Sequence, residues 1–390
     1  MPRTASRMLA LALGTLAALA CVLCFRAWRA SAENAEQEAQ RDRILALVEQ
    51  HAHEAPRAPE GRPFFLEPED AARLFPRDHS LETYDPWTYF HHKPNRNLKV
   101  PWPEHPRGEW HLVTNSLGLR EERELAAVKP ALRVLVTGDS HTDGFCDASE
   151  AFPHVAEAAL ARERPPGSVE VINAGNGGFN FYNYLGTLER FLDLQPDAFV
   201  VAVYPGNDFL ELLLPRAWFE HEVLEPPSDE ERAEYGRIVQ VFQPAYVQYF
   251  GSLSRFHRHS ELAETSVATA TELMLRMRGI CDEHGIRFLC MLIPAAIDVP
   301  RPQNQDLYQR LREATTMEPS DLQRNDQMAD ALLARLSKAG CETLDTRPIL
   351  RAGPGPWYWA KDQHLNVAGN AALGAALAAR IRSWGGRFAR

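Results

Sequence analysis

Five apolar runs, separated by helix-forming stretches, constrain this chain more than any other feature. They lie at residues 133–137 ("RVLVT"), 169–173 ("VEVIN"), 198–204 ("AFVVAVY"), 286–293 ("IRFLCMLI") and 341–345 ("CETLD"). Helices are expected near 152–164, 184–194, 263–284, 322–339 and 367–384. A strand that is apolar along its whole length must be covered on both faces. The alternation therefore predicts an α/β fold, a three-layer α/β/α sandwich on a five-stranded parallel sheet. In such sheets ligands bind beyond the carboxyl ends of the strands, so the residues that follow each run are where chemistry is expected.

The rest of the chain is organised around that domain. At 390 residues there is room for one large domain or two ordinary ones. A formal charge of -10 and the lack of a long basic run argue against nucleic acid as a main partner. Residues 8–25 ("MLALALGTLAALACVLCF") are an uncharged 18-residue apolar run with Arg3 and Arg7 before it and Arg26 and Arg29 after it. As a helix it would be about 27 Å long, close to the thickness of a bilayer core. Residues 1–31 are therefore expected to form a signal-anchor that holds the protein in the cell membrane, with the bulk of the chain exported. A cleaved signal peptide ending at "ASA" (30–32) and a lipoprotein through Cys21 are the alternatives; Arg26 and Arg29 sit where a peptidase substrate is usually uncharged. Residues 32–62 are polar, then Pro-rich, as in a linker. Residues 63–130 show no clear period and are expected to be an irregular extension packed on the core. The domain proper is expected at 131–390, with an irregular insertion at about 209–260. Cys146, Cys281, Cys290 and Cys341 have no metal-ligand spacing and read as buried small hydrophobes.

Each of three strands is followed by a stretch that a ligand or a plain turn would equally favour. After the first comes "GDSHTDG" (138–144). Ser140 entering a helix at the sheet edge would point its hydroxyl into the cleft, and the helix N-terminus would offer a backbone N–H to an oxyanion. A helix N-cap made by Ser140 or Asp139 accounts for the same residues. After the second comes "NAGNGGFN" (173–180), whose glycines let the backbone approach a ligand closely. It lacks the GxGxxG register of a dinucleotide site. After the third comes "YPGNDF" (204–209), where Asn207 can present an amide N–H and Asp208 can anchor the loop, although Asn-Asp is also common turn chemistry. Near the end, "WAKDQHLNVAG" (359–369) places His364 two residues after Asp362. A serine hydroxyl needs a base to act as a nucleophile, and a histidine serves when an acid fixes its tautomer. Together and in this order, the pieces make a serine acyl-transfer site.

These blocks resemble those of the SGNH hydrolases, the GDSL-type esterases and lipases, and the chain is similar to bacterial envelope-type members. "GDSHT" resembles the first block, "NAGNGG" the second, "PGND" the third and "DQH" the last. The resemblance covers about residues 133–384. It implies a flavodoxin-like sheet order and a serine esterase with no metal or other cofactor. Ser140 would be the nucleophile, His364 the base and Asp362 its orienting acid. Ser140, Gly178 and Asn207 would form the oxyanion hole, with Gly175 an alternative to Gly178. Two departures bear on this: Pro205 replaces the first glycine of GxND, and the usual DxxH is here DxH, because Lys361 occupies the position three before His364. Asp345 is the alternative acid. An exported esterase of this kind is expected to remove O-acyl groups, O-acetyl above all, from envelope glycans. An acyltransferase that moves acetyl groups onto a polysaccharide and a non-catalytic binding protein on the same fold are the other readings. Trp87, Tyr89, Phe90 and Trp102 would either stack on sugars or pack the extension onto the core. "TNSLGLRE" (114–121) resembles a segment found upstream of the first block in bacterial members.

Overall fold

Two short hairpins precede the sheet. The computed structural model describes residues 63–75, 80–241, 247–299 and 304–388, with scattered positions between 39 and 50. The apolar run at 8–25 and nearly all of the linker lie outside the described residues. Among the described residues no helix is long and apolar enough to cross a membrane. The extension holds α1 (Pro68–Leu74), the antiparallel pair β1 (Glu82–Asp85) and β2 (Tyr89–His92), and a second pair, β3 (Asn97–Pro101) and β4 (Glu109–Val113). It is not irregular, as the sequence led us to expect. The strands are only four or five residues long, too short for an alternation of polar and apolar positions to stand out.

The sheet begins with β5 (Leu132–Gly138), followed by a one-turn helix α2 (Ser140–Asp143) and α3 (Phe152–Ala161). Next come β6 (Val169–Asn173), α4 (Phe181–Arg190) and β7 (Ala198–Val203). Four helices follow: α5 (Asp208–Glu211), α6 (Leu213–Phe219), α7 (Asp229–Val241) and α8 (Val247–Arg258). The chain continues through α9 (Ser260–Glu283), β8 (Arg287–Leu292), α10 (Asn304–Ala314) and α11 (Arg324–Lys338). It ends with β9 (Glu342–Asp345), α12 (Arg347–Ala352) and α13 (Val367–Ser383). All five sheet strands are parallel, in the order β6-β5-β7-β8-β9.

Successive side chains of a strand point to opposite faces. Val134 and Val136 accordingly enter one core and Leu135 the other. On the first face they meet Phe152, Ala156 and Leu160 of α3 and Leu373, Leu377 and Ile381 of α13. On the second, α4, α9 and α11 contribute Leu185, Met274 and Leu332. Three layers result, as expected, in the flavodoxin-like order. The chain runs from β5 to β6 on one side, then crosses back to β7 on the other. That reversal opens a crevice at the carboxyl end of β5, the place where doubly wound sheets bind ligands. The loops after β5, β6 and β7 all border it.

The described residues of the section at 209–260 are largely helical rather than irregular. Its helices α7 and α8 are joined by a buried ion pair, Arg255 with Glu231, and a half-buried one, Arg258 with Glu234, each at 2.7 Å. Charged residues occupy positions that face the partner helix, so the apolar period that announces a helix is broken.

The extension docks on α4, where Asn183 Nδ2 donates to the Thr88 carbonyl at 2.8 Å. A Cβ on Gly186 of the same helix would lie 2.0 Å from the Trp87 carbonyl oxygen. Inside an ordinary helix, Gly→Ala stabilises by up to about 1 kcal/mol. Here Gly186→Ala is expected to destabilise by about 1–3 kcal/mol, because the added methyl pushes on backbone. Urea midpoints would show it, and a gain in stability would mean that the extension does not sit on α4.

Candidate active site

Asp139, the residue before α2, accepts the His141 N–H on its side chain at 2.9 Å and so caps the helix. The N-cap expected of either Asp139 or Ser140 therefore belongs to Asp139, whose Oδ2 also stands 3.4 Å from the Ser140 hydroxyl. Ser140 Oγ lies 2.8 Å from His364 Nε2. On the other side of the ring, His364 Nδ1 lies 2.8 Å from Asp362 Oδ2. Residues 224 positions apart in the chain are thus joined into one hydrogen-bonded relay.

The DxH spacing works because of the residue in its middle. Gln363 is left-handed, with φ 63°, a conformation that costs a non-glycine residue of order 1 kcal/mol or more. Its side chain holds the turn by donating to the carbonyls of Trp359 and Ala360. With the chain folded this way, the His364 backbone N–H donates to Asp362 Oδ1 at 3.2 Å while the ring meets Oδ2. Asp345 is engaged elsewhere, gripping the Arg347 guanidinium with both oxygens at 3.0 and 2.9 Å. The structure brings Asp362 and not Asp345 to the imidazole.

Aromatic rings hold His364 in place. Phe145 stacks on it at 4.0 Å with an interplanar angle of 15°, and Trp102 meets Phe145 edge-on at 5.4 Å. Beyond His364 lies His141, at 4.9 Å, stacked in turn on Tyr204 at 3.9 Å. Burial drives His141 well below the usual histidine range, with the charge of His364 adding to the effect. His141 is therefore a neutral packing ring, which leaves room for a positive charge on its neighbour. Glu104, from the β3–β4 hairpin, accepts the N–H groups of Ala360 and Lys361 and so steadies the loop that carries the imidazole.

The glycine turn follows β6 and Asn207 follows β7. Gly178 has φ 74°, open to glycine with little strain. A Cβ on its neighbour Gly177 would lie 3.8 Å from Ser140 Cβ, so the turn passes directly beside the serine. Gly175 does a different job. Its N–H donates to Asn173 Oδ1 at 3.0 Å, and a Cβ there would collide with Thr142 and the Asp143 nitrogen. Asn207, at the start of α5, is buried. Its companion Asp208 accepts the Tyr204 N–H and the Tyr184 hydroxyl, at 2.9 and 2.8 Å, and ties the loop to the sheet.

Several residues that shape the site were given no role by the sequence, although Arg120 and Glu121 lie in the 114–121 segment noted there. Arg120, from the 114–121 segment, is fully buried. It donates to the carbonyls of Asp143 and Cys146 while its Nε stands 2.8 Å from Asp143 Oδ1. Asp143 Oδ2 lies 2.9 Å from His92 Nε2 and accepts the Gly177 N–H at 3.3 Å. Burial acts to raise the Asp143 carboxyl, but His92 and Arg120 outweigh it and hold the group below its usual range. Next to Arg120, Glu121 accepts the Asn173 N–H at 2.9 Å. The 114–121 segment thus clamps the turns after β5 and β6 together. A single sequence cannot reveal it, because a buried Arg and an exposed one read alike.

A family model described as GDSL-like lipase/acylhydrolase matches residues 136–372. No curated protein matches the chain. Among solved structures, an acetyl xylan esterase shares 15% identity over 64% of this chain and 100% of its own, with a TM-score of 0.39. A lipase/acylhydrolase from Enterococcus faecalis shares 16% over 65% and 96%, with a TM-score of 0.38. A catalytic mutant of an acetylxylan esterase from Geobacillus stearothermophilus shares 16% over 68% and 99%, with a TM-score of 0.39.

Glu121 makes the clamp sensitive to pH. Burial pushes its carboxyl from the ordinary 4.5 to about 8. The folded protein therefore holds this proton more tightly than the unfolded chain does. That contribution to stability is complete below pH 4.5 and is lost as pH rises through 8. Glu121→Gln keeps an acceptor for Asn173 but cannot ionise, so its stability relative to wild type should climb between pH 4.5 and 8. Denaturant unfolding across that range would show it; a constant difference would mean that Glu121 ionises without penalty.

Proposed function

This chain belongs to the GDSL-like lipase/acylhydrolase family, and on that premise we propose that Ser140 is its nucleophile, His364 its general base and Asp362 the orienting acid. It is a carboxylic ester hydrolase. The observation that carries the assignment is the unbroken relay from Asp362 through His364 to Ser140, with both links at 2.8 Å. With Nδ1–H directed at the carboxylate, Nε2 is left as the acceptor for the serine proton. Ser140 Oγ attacks the ester carbonyl carbon as His364 takes its proton. Negative charge builds on the carbonyl oxygen, where the N–H groups of Ser140 and Gly178 and the Asn207 amide would receive it. His364 then protonates the departing alcohol, and water repeats the cycle on the acyl-enzyme to release the acid.

The substrate we propose is an O-acyl ester, O-acetyl above all, of an envelope glycan. Trp102 supports this reading: half-buried, it stands against Phe145, which stacks on His364. His364 is the group that hands a proton to the leaving alcohol, so an aromatic beside it would lie near the sugar. Tyr89 and Phe90 cannot share that role, because both are buried in the core against Phe75. Location outside the cytoplasmic membrane, tethered through residues 8–25, is proposed from the apolar run alone.

The purified protein should hydrolyse p-nitrophenyl acetate and acetylated glycans faster than long-chain esters. Ser140→Ala should abolish this without unfolding the protein. Asp362→Asn should lower kcat by up to about 10⁴-fold, the scale of losing the orienting acid, while Asp345→Asn should leave it unchanged. If Asp345→Asn proves the more damaging, the acid has been misassigned. Free acetate as the product in the presence of an acceptor glycan marks hydrolysis; acetylated acceptor would mark transfer.

A further inference from the structure

Asn207 Nδ2 donates to Glu211 Oε1 at 3.0 Å. Asn207 is only 4% exposed, yet its Oδ1 has no hydrogen-bond partner among the described residues. The two ends of an amide have nearly the same shape, so hydrogen bonds decide which end faces a given direction. Nothing fixes the oxygen end here. The nitrogen end is fixed by a carboxylate, which accepts hydrogen bonds when ionised and donates none. Turning the amide over would set Oδ1 against Glu211 Oε1, acceptor against acceptor. It would also withdraw the N–H that the reaction needs.

Glu211 is itself held on both sides of the crevice. Its N–H donates to the Asn207 carbonyl at 2.9 Å, one turn back in α5. Its carbonyl accepts Asn180 Nδ2 at 3.4 Å, from the loop that carries Gly178. Glu211 also contributes to raising the carboxyl of Asp139, after burial as the larger cause, which places it close to the residue preceding Ser140.

We propose that Glu211 is a positioning residue for the oxyanion asparagine: it accepts one N–H of Asn207 and so aims the second at the carbonyl that Ser140 attacks. The proposal rests on the reading of Asn207 as an oxyanion donor, and the test separates the two. Glu211 acts by accepting and by having no N–H to offer, so glutamine, which can accept but can also donate to a flipped Asn207, is a partial substitute.

The experiment compares kcat and KM on p-nitrophenyl acetate for N207A, E211A, E211M, E211Q and the N207A/E211A double variant. E211M keeps the length of the side chain but accepts nothing, and it replaces E211A should the latter fail to fold. N207A should lose about 10²–10³-fold in kcat, the scale of one oxyanion donor. E211A and E211M should lose about tenfold or more in kcat with KM held, and E211Q should recover part of it. The double variant should be no worse than N207A, because the two act as one unit. Additive losses, a loss confined to KM, or E211Q as poor as E211A would each overturn the proposal. If N207A loses activity and neither E211A nor E211M does, Glu211 alone is misassigned. If N207A keeps full kcat, the oxyanion role of Asn207 fails, and the proposal with it.

Discussion

A helix of four residues has almost nothing of its own to hold it together. In α2 the main-chain closures run from the Thr142 and Asp143 N–H groups to Asp139 O and from the Gly144 N–H to Ser140 O, at 3.0, 2.9 and 3.0 Å, and short helices are unstable in isolation. The geometry of Ser140 is therefore imposed from outside, and the buried carboxylate of Asp143 is where the imposition acts. One oxygen meets Arg120; the other meets His92 and the Gly177 N–H. A buried charge left unpaired would cost several kcal/mol, so the partners must stay where they are. The extension, the serine turn and the glycine turn thus meet at a single buried carboxylate.

The same logic holds around the imidazole. His364 sits on a loop after an exposed stretch, a poor place for precise chemistry. Precision comes from what presses on it: Phe145 stacked on the ring, neutral His141 tilted beside it, Asp362 at its edge and Glu104 bonded to the loop. Rings that cannot be charged surround the one ring proposed to cycle through a charge. The extension supplies Trp102 and Glu104 here, as it supplies His92 and Arg120 to the serine turn, so it forms part of the site's wall on both sides.

Much of this was legible in advance. The five strands appear within a residue or so of where their apolar runs place them, because a strand buried on both faces leaves a solid block of β-formers. Ser140, Asp362, His364 and Asn207 stood out because each follows a strand or precedes a helix with chemistry suited to a cleft, whereas Gly178 was singled out only by the resemblance of its turn to the family's second block. The hairpins of the extension and the helices at 208–258 did not stand out. Short strands show no period, and helices packed through Arg255–Glu231 and Arg258–Glu234 pairs hide theirs behind charge.

The sequence by itself determined the layered α/β architecture and the residue types at the crevice, since hydrophobic periodicity and turn chemistry are local properties that a chain carries with it. Only the tertiary structure set Asp362 rather than Asp345 against the imidazole, packed Gly175 on Thr142, and brought Arg120 and His92 to the serine turn and Glu211 to Asn207. Those outcomes depend on which groups share a buried volume. Burial turns an ordinary carboxylate or guanidinium into one that must find a partner, and no local stretch of sequence records where that partner will be.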